Sequence, residues 1–222
     1  MAIATSEAGG QGAGYTREGR TAAVPSPLFL PGWVEFNRRK WAVEPLHLRL
    51  AKGGADLPAI EAILYADRRG RIRQPLLNPY AAITFQPTPT QSQPRLSRQW
   101  LEVSELLAEL VAERGSVSPL HLPPDIVDVR SWQWRGYHAT VKYTFVVPLP
   151  LDVGQVDPMV RKQINKATRS GYQARRTDDL DGVYACLAET SARQGFPLWL
   201  TRRDLGDLLD LLGPDACRIY GG

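Results

Sequence analysis

Arg161, Lys162, Lys166, Arg169, Arg175 and Arg176 place six positive charges in the twenty residues from Pro158 to Thr177, a stretch with no Asp or Glu. Side chains of this kind hold anions: phosphates, carboxylates or nucleic acid. The whole chain carries a formal charge of +4, so the remainder is slightly acidic and the basic character is local. Like charges four residues apart on a helix are mildly destabilising. A cationic run with no acids therefore points to an anionic ligand, and the plainer alternative is a solvated helix face.

The element that must position these groups is a helix from Asp157 to Gly171. Asp157 suits the N-cap, Pro158 the first helical position, and Gly171 the left-handed stop. At about 100° per residue, Val160, Ile164 and Ala167 share one side. Arg161, Lys162, Asn165, Lys166 and Arg169 fall in an arc of roughly 140° opposite.

The 222 residues suffice for one large or two small domains. With 43% hydrophobic and 23% charged residues, the composition is that of an ordinary globular chain. No apolar run approaches the roughly eighteen residues of a membrane span. Residues Met1–Gly14 lack the basic start and apolar stretch of a secretory signal, so a cytoplasmic location is expected. Two cysteines and three histidines show no metal-ligand spacing, and neither a metal site nor a disulfide is expected. No nucleophile elbow, Walker loop or Rossmann glycine pattern occurs.

In chain order, Met1–Ser26 is rich in small residues and is expected to be a disordered tail. Ser26-Pro27 can start a helix through Leu30, Trp33, Val34, Phe36 and Trp41, interrupted at Pro31-Gly32. Leu46–Leu50 and Ala59–Ala66, joined by the turn Lys52–Asp56, predict an antiparallel hairpin. Arg71–Leu77, Ala81–Phe85 and Val117–Leu122 are further strand candidates, and Leu96–Arg114 a helix ended by Gly115. Thr140–Val147 alternates cleanly and predicts a core strand behind an aromatic lead-in. Tyr172–Arg176 is a short strand candidate. Leu180–Arg193 and Thr201–Leu212 are helices, the latter with a capping box from Thr201 to Asp204. Ala216–Tyr220 begins a strand with nothing beyond it to pair, which suggests the front part of a longer polypeptide.

Trp132-Gln133-Trp134-Arg135-Gly136-Tyr137, then Val141–Val147, then Val160–Gly171, occur in an order that resembles the FemAB-like branch of the GNAT acyltransferase superfamily. Its pattern is an aromatic W-x-G-[FY] segment, a strand with Y-T-[FY], and a basic R-x-x-I-x-K-A-x-x-x-G helix. Arg161, Ile164, Lys166, Ala167 and Gly171 occupy the helix positions, and Glu189–Gly195 resembles the E-x-x-x-R-Q-G piece that follows. The resemblance implies an α/β fold: a GNAT-like mixed, mainly antiparallel sheet flanked by helices, with the opening helices of a second copy. It divides the chain into a tail (1–26), a first GNAT-like domain (27–150), a basic junction helix and strand (151–177) and the start of a second domain (178–222). The phosphate-binding Q/R-x-x-G-x-G/A loop of such enzymes is not found here, and in double-domain members it belongs to the second domain.

Two function classes follow. The first is an acyltransferase or aminoacyltransferase moving an acyl group from acyl-CoA or aminoacyl-tRNA, as co-substrate, to an amine. No covalently bound cofactor is required. The acceptor would be an anionic small molecule resembling a cell-wall precursor, tRNA a possible partner, and the remainder of the chain the source of the donor loop. This portion alone is expected to be inactive. Arg161, Lys162, Asn165, Lys166 and Arg169 are assigned to anion binding. Trp134, Tyr137 and Tyr143 would line an acceptor cleft, or else belong to the core. Tyr172 shares that ambiguity, and Arg193 and Gln194 precede Gly195 either as substrate contacts or as a helix end. No general base can be named. The second class is a non-catalytic anion- or nucleic-acid-binding module built on 157–171.

Overall fold

A computed structural model describes residues 3–4, 26–52, 58–145, 147 and 150–221. The chain divides into two compact units, Met1–Val141 and Lys142–Gly222. Among the described residues no helix is long and apolar enough to cross a membrane.

In the first unit the Ser26 hydroxyl accepts from the Leu28 N–H and caps a single 3-10 turn, Pro27–Phe29. Helix α1, Pro31–Trp41, then starts afresh with proline at its first position. The sheet runs β1 (Ile3–Ala4), β2 (Glu44–Ala51), β3 (Ala59–Ala66) and β4 (Ala82–Gln86), each antiparallel to the next. The expected hairpin is thus present as β2–β3, while most of its connection, residues 53–57, lies outside the described residues.

Strand β3 is central and buried along nearly its whole length, which explains its continuously apolar sequence. Successive side chains of a strand face opposite sides. Ile60, Ala62 and Leu64 join a core with Trp100, Val103, Leu107 and Val111 of α2 (Gln93–Arg114). Ile63 and Tyr65 join a second core with Leu28, Val34 and Val43 at α1. The unit is therefore an antiparallel sheet with a helix on each face, the α/β class expected. Helix α2 begins three residues before the expected Leu96 and ends at Gly115, which takes φ 70°.

Three expectations are corrected. Arg71–Leu77 and Val117–Leu122 form no strands: Ile72 makes single bridges to Ala66 and Ser116, and the rest has no ladder. Scattered backbone bonds, such as the Arg73 N–H to the Tyr65 carbonyl and the Val117 N–H to the Ile72 carbonyl, alternate with bonds to side chains. The Gln74 N–H donates to Ser118 Oγ at 3.0 Å, and Gln74 Oε1 accepts from the His121 N–H at 2.8 Å. The tail is not wholly without structure, because Ile3 and Ala4 pair with Leu50 and Arg49; residues 5–25 lie outside the described residues.

A one-turn helix α3, Arg130–Gln133, buries Trp132 against the first core. Ser131 Oγ and Ser104 Oγ of α2 hydrogen-bond at 2.8 Å, and Trp100 Nε1 donates to the Asp128 carbonyl at 2.7 Å. These bonds satisfy polar atoms that burial would otherwise penalise.

The second unit contains α4 (Pro158–Arg169), α5 (Leu180–Gln194) and α6 (Arg202–Ala216), with a two-stranded pair of β5 (Arg175–Arg176) and β6 (Tyr220–Gly221). The final strand, expected to lack a partner, therefore has one. The capping box of α6 is complete: Thr201 Oγ1 accepts from the Asp204 N–H and the Asp204 carboxylate from the Thr201 N–H. Gly213 kinks α6 at φ 70° where a stop is expected, and a last turn follows it. Arg202 pairs with Asp181 across α5 and α6.

The core strand expected at Thr140–Val147 is not formed by its described residues. Tyr143 and Phe145 are 96% and 97% exposed, and Val146 lies outside the described residues. Alternation and β-branched residues record a fit to a half-buried pleated surface, and they form a strand only where a neighbouring backbone completes the ladder.

Candidate anion-binding surface

Helix α4 is closed at both ends by its own sequence. Asp157 Oδ1 accepts from the Met159 N–H at 2.8 Å, and Pro158 occupies the first position, where no N–H is needed. At the other end the Tyr172 N–H donates to the Ala167 carbonyl and the Gly171 N–H to the Thr168 carbonyl, each at 3.1 Å. This paired closure requires a left-handed residue, and Gly171 supplies it at φ 84°. The boundaries read from local chemistry are those observed.

Among the described residues no acid answers the charges on this helix. Arg161, Lys162, Lys166 and Arg169 have no ion-pair partner among the described residues, and all but the half-buried Arg161 are exposed. Asn165 is exposed beside them. Lys166 and Arg169 lie in the last turn, where they also offset the negative end of the helix dipole. Four cations on one helix, without ion-pair partners among the described residues, have the charge that a phosphate or carboxylate would need.

The opposite side is also open. Val160 and Ile164 are 49% and 43% exposed, and no residue of α4 is buried.

Beyond the helix end lies an open concavity of about 680 Å³, lined by Ser170–Gln173, Arg175–Thr177 and Gly221. It brings the exposed Tyr172 together with Arg175 and Arg176. Arg175 donates to the Gln173 side-chain oxygen, so Arg176 is the cation there without a partner among the described residues. The six-charge count includes both arginines, but the sequence does not place them at a concavity. Their signal is adjacency: two arginines four residues past a glycine-terminated basic helix.

The remaining candidates do not share one place. Tyr137 packs edge-on against the buried Trp132, ring centres 5.6 Å apart, and burial raises its phenol pKa. Trp134 is exposed at a separate groove of about 440 Å³ in the first unit, beside Leu101, Glu102, Glu105 and Arg130. Tyr143 is almost wholly exposed, in a segment of the second unit that has no regular secondary structure. Arg193 and Gln194 form the exposed last turn of α5, closed by Gly195 at φ 70°. Among the described residues no three His, Cys, Asp or Glu side chains are grouped to hold a metal ion.

No family model, curated protein or solved structure matches the chain.

Proposed function

We propose that the chain carries the anion-gripping part of an N-acyltransferase of the FemAB-like GNAT type. It would move an acyl or aminoacyl group from acyl-CoA or aminoacyl-tRNA to an amine acceptor, in the cytoplasm, where both donors are made. The observation that carries the reading is α4: a helix capped at both ends, with four cations and no acidic partner among the described residues. The antiparallel sheet flanked by helices is compatible with the GNAT-like architecture that the resemblance implies.

In this reading Arg161, Lys162, Lys166 and Arg169 hold a phosphate or carboxylate of donor or acceptor, with Asn165 as a neutral hydrogen-bonding neighbour. The acceptor amine attacks the acyl carbonyl directly, and the donor thiolate or ribose oxygen leaves with the electron pair of the broken bond. The protein contributes position and charge rather than a covalent intermediate. By the same resemblance, the donor loop belongs to a second GNAT-like domain.

Calorimetric titration of acyl-CoA and of tRNA into the wild type and into R161Q/K166Q tests the reading. Each lost charge-assisted contact should weaken binding by about 1–3 kcal/mol. Equal affinity of the two proteins for both ligands would remove α4 from the site.

A second reading, a non-catalytic nucleic-acid-binding module, is favoured by a helix α4 none of whose residues is buried, which lets it lie along a phosphate backbone. A log–log slope of affinity against salt of about 0.7–0.9 per phosphate contacted, without transfer activity, would select it.

A further inference from the structure

The cations of α4 suit an anionic ligand, but they do not explain why its apolar side is also open. Val160 and Ile164 are exposed on a helix none of whose residues is buried. Exposed apolar residues continue at both ends, Leu151 and Val153 before the helix and Tyr172 after it. Unpaired cations on one side and bare aliphatic groups on the other are the two faces of an interfacial helix, which lies in the plane of a lipid surface.

We propose that α4 seats the chain on an anionic lipid surface, with Val160 and Ile164 entering the headgroup boundary and Arg161, Lys162, Lys166 and Arg169 resting on lipid phosphates. The inference draws on the same cations as the proposed function but adds a ligand that uses the other side of the helix.

Two other occupants fit less well. Nucleic acid would be held by the cations alone and would leave Val160 and Ile164 in water. An acidic protein groove would demand large anchors along the apolar stripe, because binding energy in such interfaces concentrates in bulky, fully enclosed side chains. This stripe runs Val160, Ile164, Ala167 and has no aromatic residue. A lipid surface needs only shallow insertion. It also suits Tyr172, whose ring and hydroxyl match the apolar and wet sides of a membrane boundary.

The test is co-sedimentation of the full 222-residue chain with vesicles of equal parts phosphatidylglycerol and phosphatidylcholine, against pure phosphatidylcholine. Binding is expected to the anionic vesicles only, and to fall as salt rises. R161Q/K166Q should weaken it by about 25-fold, from roughly fivefold per charge. V160S/I164S, which changes exposed residues and so spares the fold, should weaken it by about tenfold.

Absence of binding to anionic vesicles overturns the proposal, and acyl-CoA affinity retained in that case would leave the proposed function standing. Vesicle binding by V160S/I164S equal to wild type also overturns it, since the apolar side would then have no part. Capture of a single-stranded RNA that depends on Arg161 and Lys166 but not on Val160 and Ile164, without vesicle binding, would make α4 a nucleic-acid surface instead.

Discussion

Asn37 and Asn78, 41 positions apart and both buried, are joined by a 3.2 Å bond from Asn37 Nδ2 to Asn78 Oδ1. The same oxygen accepts from Trp33 Nε1 at 3.0 Å, so one amide ties the Pro79 turn to α1. Removing it leaves the part-buried Trp33 indole N–H without its acceptor, at about 1–3 kcal/mol, while Asn37 Nδ2 keeps the Trp33 carbonyl at 3.1 Å. Asn78→Ala is expected to lower the unfolding free energy by about 1–3 kcal/mol in denaturant titrations followed by tryptophan fluorescence. A midpoint equal to wild type would show that water replaces the amide.

Tyr65 adjoins this network, its hydroxyl 3.4 Å from Asn37 Nδ2. Burial, only partly offset by hydrogen bonds from Asn37 and Asn78, pushes its pKa up to about 12. The folded state thus holds the phenol proton more tightly than the unfolded chain, whose tyrosines titrate near 10. The stability this gives is complete below pH 10 and is lost as the pH rises toward 12. The loss should amount to about 2 kcal/mol. Other tyrosines and lysines titrate in the same window, so the comparison is with Tyr65→Phe. The stability difference between the two proteins should change by that amount between pH 9 and 12, and a constant difference would mean that the phenol ionises freely in the fold.

Helix α4 was legible in the sequence down to its ends because caps are local chemistry: an Asp, a Pro and a Gly within fifteen residues suffice. The β2–β3 hairpin and α2 were legible because burial imposes a period. Arg71–Leu77 and Val117–Leu122 were not, because Gln74, Ser118 and His121 bond across them in ways no periodicity encodes. Of the candidate site, the charges could be read off the chain. The concavity at Tyr172 and Arg176 could not, since it depends on the turn after Gly171 and on the β5–β6 pairing.

The two caps of α4 can be separated by experiment. Asp157→Ala removes the acceptor for the Met159 N–H and should cost the helix about 1 kcal/mol. Gly171→Ala meets no steric neighbour, but it forces a side chain onto φ 84°, at about 1 kcal/mol. Amide hydrogen exchange is the proper readout, because α4 buries nothing and global unfolding will not report on it. Protection across 161–169 should fall about fivefold in each variant. The two effects should add in the double variant, because the altered residues share no partner.

Phe145 sits in a segment whose described residues, Thr140–Phe145 and Val147, make no ladder and leave Val141, Tyr143 and Phe145 exposed. An unpaired run of β-branched and aromatic residues offers both backbone edges to another chain, and natural edges are commonly blunted with lysine. Lys142 is the segment's sole charge. Phe145→Lys should reduce concentration-dependent self-association, measured by sedimentation velocity, while leaving the thermal midpoint unchanged, because the ring is almost wholly in water. A lowered midpoint would instead place Phe145 in a contact that stabilises the folded chain. Unchanged association would clear this segment as the adhesive surface and turn attention to the apolar side of α4.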